Sequence, residues 1–185
     1  MNLLEFFREV RKIKDIERSG WIERGVEKPE SVGDHSFMTA LLTLFLSEKR
    51  SDIDTAKAVK MALIHDIAES RTGDLMLWTG EVTKEEKHRR EQKSLEGMLA
   101  NVDPDMARKY ADLWQEFEDQ QTPEARFVRQ IDKIDMILEA VEYHKSGRSE
   151  KSMVPFFDSV SLITDPELVT LLKKVDGLKD HMMGR

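Results

Sequence analysis

Three times in this chain an Asp or a Thr stands directly before a proline: Asp103-Pro104, Thr122-Pro123 and Asp165-Pro166. A proline at the first helical position gives up only an N–H that has no partner there, and the side chain before it caps a free N–H. Each pair marks a helix start. Thr83, with Glu86 three residues on, has the pattern of a capping box and marks a fourth. Phe127, Ile131, Ile134, Leu138 and Val141 recur at alternating intervals of four and three, a stripe that a strand does not present on one face, and Gly147 closes that segment. The pattern predicts helices near 3–18, 33–49, 54–70, 84–100, 104–121, 123–146, 153–163 and 166–176. No segment shows a period of two, and there is no repeat or long linker. The expected fold is all-α: one compact helical domain over 1–185, with the C-terminal helices 153–176 packed on the rest.

At 185 residues and 39% apolar content the chain can bury a full core. Its apolar runs fall far short of the roughly 20 residues of a membrane span, and the opening Met1-Asn2-Leu3 begins no signal segment, so a cytoplasmic protein away from membranes is expected. There is no cysteine, which excludes disulfides, thiolate metal sites and cysteine nucleophiles. A net charge of -7 argues against a nucleic-acid polymer as partner, so a phosphorylated substrate requires local positive charge.

The chemistry concentrates at His65-Asp66 within AVKMALIHDIAESRTGD, with His35 upstream in ESVGDHSF and Asp132 downstream in RQIDKIDMI. Two imidazoles and two carboxylates suit a divalent ion of the Mn, Fe, Co, Ni or Zn kind. The predicted helices place His35 near a start, His65 and Asp66 near an end and Asp132 inside, so the four can converge in a bundle interior. The competing reading leaves Asp66 and Asp132 exposed and gives His35 only an N-terminal turn to support. If the helix through His65 continues, Glu69 lies at i+3 from Asp66 and i+4 from His65, and the three can face one cavity. Thr72-Gly73-Asp74 then turns the chain and brings in another carboxylate. Taken on residue type alone, Glu69 is a solvated helix-end acid, Arg18 a surface residue and Trp21 a core residue.

The string from Arg18-Ser19-Gly20-Trp21 through Pro29-Glu30-Ser31-Val32-Gly33-Asp34-His35, then His65-Asp66 to Gly73-Asp74, then Lys84 to Arg90, resembles the HD-domain phosphohydrolases. It is most similar to their 5'-deoxynucleotidase branch, and the similarity runs from the first helix to Phe156-Phe157-Asp158. The resemblance implies a single HD domain, its metal site drawn from 35–132, with His35, His65, Asp66 and Asp132 binding the metal. It implies that Glu69 and Asp74 assist catalysis or hold a second cation, Mg among the candidates, and that Arg18 and Trp21 surround the nucleotide. Bacterial members place the arginine directly before the tryptophan, whereas Ser19 and Gly20 intervene here. The implied activity is hydrolysis of deoxyribonucleoside 5'-monophosphates by a homodimer. The alternatives are another nucleotide (a deoxynucleoside triphosphate, guanosine tetraphosphate or a cyclic nucleotide) or a non-catalytic helical binding module.

Other charged residues read more plainly. Lys87, His88, Arg89 and Arg90, interleaved with Glu85, Glu86 and Glu91, read as an ion-paired, solvated helix face, with one of them approaching a substrate phosphate as the lesser reading. Asp135, one turn after Asp132, either supports the site from behind or faces solvent. His144 and His181 lack a liganding context and read as surface residues.

Overall fold

The computed structural model describes residues 1–175 apart from 78, 81 and 150; His181 and the expected last residue of the 166–176 helix fall outside them. The elements are α1 (Leu3–Val10), a 3-10 turn (Arg11–Lys14), α2 (Ser19–Glu23), α3 (Val32–Ser47), α4 (Thr55–Ile64), α5 (Glu69–Thr72), α6 (Lys84–Leu99), α7 (Pro104–Asp119), α8 (Pro123–Lys145), α9 (Val154–Phe157), a 3-10 turn (Asp158–Leu162) and α10 (Pro166–Leu172). Among the described residues there is no strand, only an isolated bridge between Glu17 and Ser31. The fold is all-α, as expected. No helix among them is long and apolar enough to cross a membrane.

The three proline-marked starts form where expected, with Asp103, Thr122 and Asp165 each accepting N–H groups of the first turn. Thr83 Oγ1 accepts the Glu86 N–H, while the Glu86 carboxylate engages Arg89 and Arg90 instead of closing a capping box. The α8 stripe packs against α3, α4 and α7. Phe127, Ile131, Ile134 and Val141 are buried, and so are Val128, Ile137 and Ala140, so this helix is enclosed on most sides. Gly147, at φ 66°, ends it. A second, smaller core of Ile67, Leu95, Met98, Leu99, Val102 and Trp114 lies between α6, α7 and the chain leaving α4.

Two expected helices are interrupted. The one predicted over 3–18 ends at Lys14, because the next residues bond to the approach to α3: Val32 N–H to the Ile16 carbonyl at 2.8 Å, and Arg18 N–H to the Glu30 carbonyl at 3.0 Å. The one predicted over 54–70 stops at Ile64, 65–68 is a run of turns, and the N–H groups of Ile67, Glu69, Ser70 and Arg71 bond three residues back. Side chains have taken the carbonyls a helix needs. His65 Nδ1 occupies the Ala62 carbonyl at 2.7 Å, the Trp114 indole N–H the His65 carbonyl at 3.0 Å, and the Ser94 hydroxyl the Ala68 carbonyl at 2.7 Å. The segment expected as a helix over 153–163 is α9 followed by a 3-10 turn.

Candidate metal centre

Ser31 opens α3 with a reciprocal cap. Its Oγ accepts the Asp34 N–H at 3.1 Å, and Asp34 Oδ2 accepts the Ser31 N–H at 3.0 Å. His35 leaves this fixed first turn fully buried. Asp132 and Asp135, one turn apart on α8, meet its ring at opposite nitrogens: Asp132 Oδ1 lies 3.3 Å from Nε2 and Asp135 Oδ2 lies 2.7 Å from Nδ1. At the end of α4, His65 Nδ1 sits on the Ala62 carbonyl. A carbonyl only accepts, so Nδ1 is the donor there and Nε2 is the nitrogen turned toward the acids. Asp66 Oδ2 lies 3.2 Å from His65 Nε2 and 3.7 Å from His35 Nε2.

Both Nε2 atoms are buried and make no hydrogen bond. His35, His65 and Asp132 each bring one donor atom within 4.8 Å of the others. Buried polar atoms without partners are costly, and two imidazole nitrogens converging beside two carboxylates are the donor set a divalent cation takes, displacing any proton they carry. The residues fit a metal. Their other ring nitrogens are held by a carboxylate and a carbonyl, the usual support for metal-binding imidazoles. Asp135, left open by sequence, is this support for His35.

The charges around the quartet are strongly unbalanced. Burial pushes the Asp66 carboxyl up, yet His65, Arg18 and His35 hold it far below the usual range. Asp132 is likewise held low, by Lys133 and the two imidazoles against burial. For His35, burial and the Arg18 charge act downward, but Asp132 and Asp135 outweigh them and raise it to about 9. Glu69 is driven well above the normal carboxyl range by burial and by the charges of Asp66 and Asp74. Such crowding of acid in a low-dielectric site is what a cation relieves.

A cavity of 320 Å³ opens on this cluster, walled by Arg18, Trp21, Glu69, Asp74, Lys87 and Phe156 among others. Arg18 Nη1 is 3.3 Å from Asp66 Oδ2, and its Nε is 3.9 Å from Asp74 Oδ2. Ser19, the first of the two intervening residues, ties the start of α2 to Asp74. Ser19 binds Asp74 twice, its N–H to Oδ2 at 2.7 Å and its hydroxyl to the Asp74 carbonyl at 2.8 Å. Trp21 is 1% exposed, gives its indole N–H to Glu30 at 2.9 Å and packs on Phe156 and Tyr143, so it is at once a core residue and a cavity wall.

The structure corrects the reading of Glu69 as a solvated acid, since it is 2% exposed and faces the same cavity as His65 and Asp66, although the helix expected to join them is broken over 65–68. The basic cluster divides. Arg89 and Arg90 pair with Glu86 at the surface, and His88 stacks on Trp114. Lys87 turns inward to Glu69 and Glu91. Arg129 and Lys133, not singled out from sequence, add positive charge to the cavity wall. Their signal was position, three before and one after Asp132 on a recognisable helix. His144 is exposed as expected.

An all-α domain with a buried histidine–aspartate cluster beside a cavity defines a narrow class, and the HD domain matches residues 10–168. The chain belongs to the HD domain family. It is 37% identical over 181 residues to the human protein named 5'-deoxynucleotidase HDDC2, covering 95% of this chain and 85% of that one. The Dictyostelium discoideum protein of the same name is 39% identical over 167 residues, covering 85% and 87%. Among solved structures, a conserved hypothetical protein from Pyrococcus furiosus superposes with a TM-score of 0.77 at 32% identity, covering 97% of this chain and 99% of that one.

Proposed function

We propose that this chain is a metal-dependent 5'-deoxynucleotidase, a phosphoric monoester hydrolase that converts deoxyribonucleoside 5'-monophosphates to deoxynucleoside and phosphate. The observation that carries the reading is the pair of buried Nε2 atoms, without hydrogen-bond partners, beside Asp66 and Asp132, with His65 and both acids lining the cavity. The names of the human and Dictyostelium relatives support the substrate class. His35, His65, Asp66 and Asp132 would hold a divalent ion of the Mn, Co, Zn, Fe or Ni kind. Glu69 and Asp74 would act directly or hold a second ion, with Mg suited to their oxygens.

When bound, such an ion supplies water of lowered pKa and polarises a phosphoryl oxygen. The protein's own groups do the rest. Glu69, with Oε2 unengaged, orients the attacking water and accepts its proton. Arg18 turns its paired N–H groups to the phosphoryl oxygens. Trp21 forms a flat wall for the sugar or base. As the water oxygen bonds to phosphorus, the bond to the 5'-oxygen breaks, and the proton that Glu69 took from the water passes to that leaving oxygen, with Asp74 assisting.

In this reading residues 1–185 work as one HD domain in the cytoplasm and as a homodimer. Phe37, Met38, Leu44 and Phe45, all exposed on α3, support self-association. The test is a panel of mono-, tri- and cyclic nucleotides assayed with added Mn, Co or Zn. Phosphate release from deoxynucleoside monophosphates is expected; turnover confined to a triphosphate or a cyclic nucleotide would reject the branch.

A further inference from the structure

The two oxygens of Glu69 are in different circumstances. Oε1 receives Lys87 Nζ at 3.1 Å, while Oε2 is buried with no hydrogen-bond partner. Lys87 is gripped in turn from its own helix, with Nζ 2.7 Å from Glu91 Oε1 one turn further along α6. Glu91 is buried on the face that also buries Ser94, Leu95 and Met98. The ammonium is therefore anchored to the core side of a 16-residue helix.

We propose that Lys87, held by Glu91, is the positioning residue for Glu69, fixing Oε1 so that Oε2 alone meets the reacting water. This rests on the role given to Glu69 above. Glu69 needs such a hold, because it begins a helix of only four residues after an irregular turn, and a displacement of about 1 Å at a reacting group costs on the order of 10²-fold in rate. Removing Lys87 would also leave two buried carboxylates without the cation they share. A solvated ion pair does not describe the arrangement, since Glu69 and Glu91 are both buried. Nor does a lysine devoted to substrate phosphate, since two of its three N–H groups already serve carboxylates.

Steady-state kinetics of the metal-loaded protein on deoxyadenosine 5'-monophosphate provide the test. Glu69→Gln is expected to lower kcat by on the order of 10²-fold or more. Lys87→Met is expected to lower kcat by about 30-fold with KM within about threefold of wild type, and Lys87→Arg to recover kcat to within about fivefold. The double variant K87M/E69Q is expected to be no slower than E69Q, because a residue acting through Glu69 then has nothing to position. Three results overturn the proposal while leaving Glu69 its role: wild-type kcat in K87M, a raised KM in place of a lowered kcat, or multiplication of the two losses in the double variant. Wild-type kcat in E69Q, or a wild type inert on deoxynucleoside monophosphates, overturns the reading beneath it. If K87M loses its helical circular dichroism, E91Q takes its place in the same cycle, with a loss of about fivefold expected and independence from E69Q overturning the proposal.

Discussion

Two stretches of chain meet at the metal centre on opposite plans. α8 is a regular helix of 23 residues, and it contributes two acids one turn apart that grip the same imidazole from either side. The segment from His65 to Asp74 is a run of turns followed by the four-residue α5, and it delivers His65, Asp66, Glu69 and Asp74 to one cavity within ten residues. Four such positions on a continuous helix would spread around its axis, with Asp74 on the far side from His65. Regularity supplies a fixed platform, and irregularity supplies a high density of reactive groups. The irregular arm depends on distant side chains, Trp114 and Ser94, for its shape.

Removing a donor from the irregular arm should have the largest effect. Asp66→Ala is expected to lose bound metal, read by elemental analysis, and to lower phosphatase activity by at least about 10³-fold while helical circular dichroism is kept. An active, metal-free variant would remove the basis of the comparison. On the regular arm, Ile134→Ala, at a fully buried position, should cost about 2–5 kcal/mol in denaturant unfolding yet leave metal content unchanged in the folded protein. Asp135→Ala leaves every proposed ligand in place and should weaken metal affinity by about 10–100-fold, measured by competition with a chelator. Gly73→Ala sharpens the contrast further. Gly73 sits at φ 73°, ψ 172°, a region open essentially to glycine, so the cost is about 1–3 kcal/mol even though open space surrounds the position. Its activity loss should come from Asp74, with metal retained.

The two arms also differ in how far they could be read from sequence. α8 was legible because its signals are local: Thr122-Pro123 at its start, the apolar stripe along it and Gly147 after it. The quartet was legible as a donor set, and the structure brings its members together. The break after Ile64 was hidden, because no glycine or proline marks it and the groups that capture its carbonyls lie 49 and 26 residues away in Trp114 and Ser94. Lys87 was hidden by its neighbours. Four basic side chains in succession suggested one solvated face, although counting back from Met98 and Leu95 through Glu91 puts Lys87 on the inner side of α6.

Ser19 fastens Asp74 by both its side chain and its backbone, so the stretch between Arg18 and Trp21 acts as a spacer whose length matters. Shortening it by those two residues would unhitch the loop that carries Asp74 from the start of α2. A chain lacking the pair must find another tether for that aspartate, and spacer length thereby becomes a variable through which related enzymes can reshape the mouth of the same metal site.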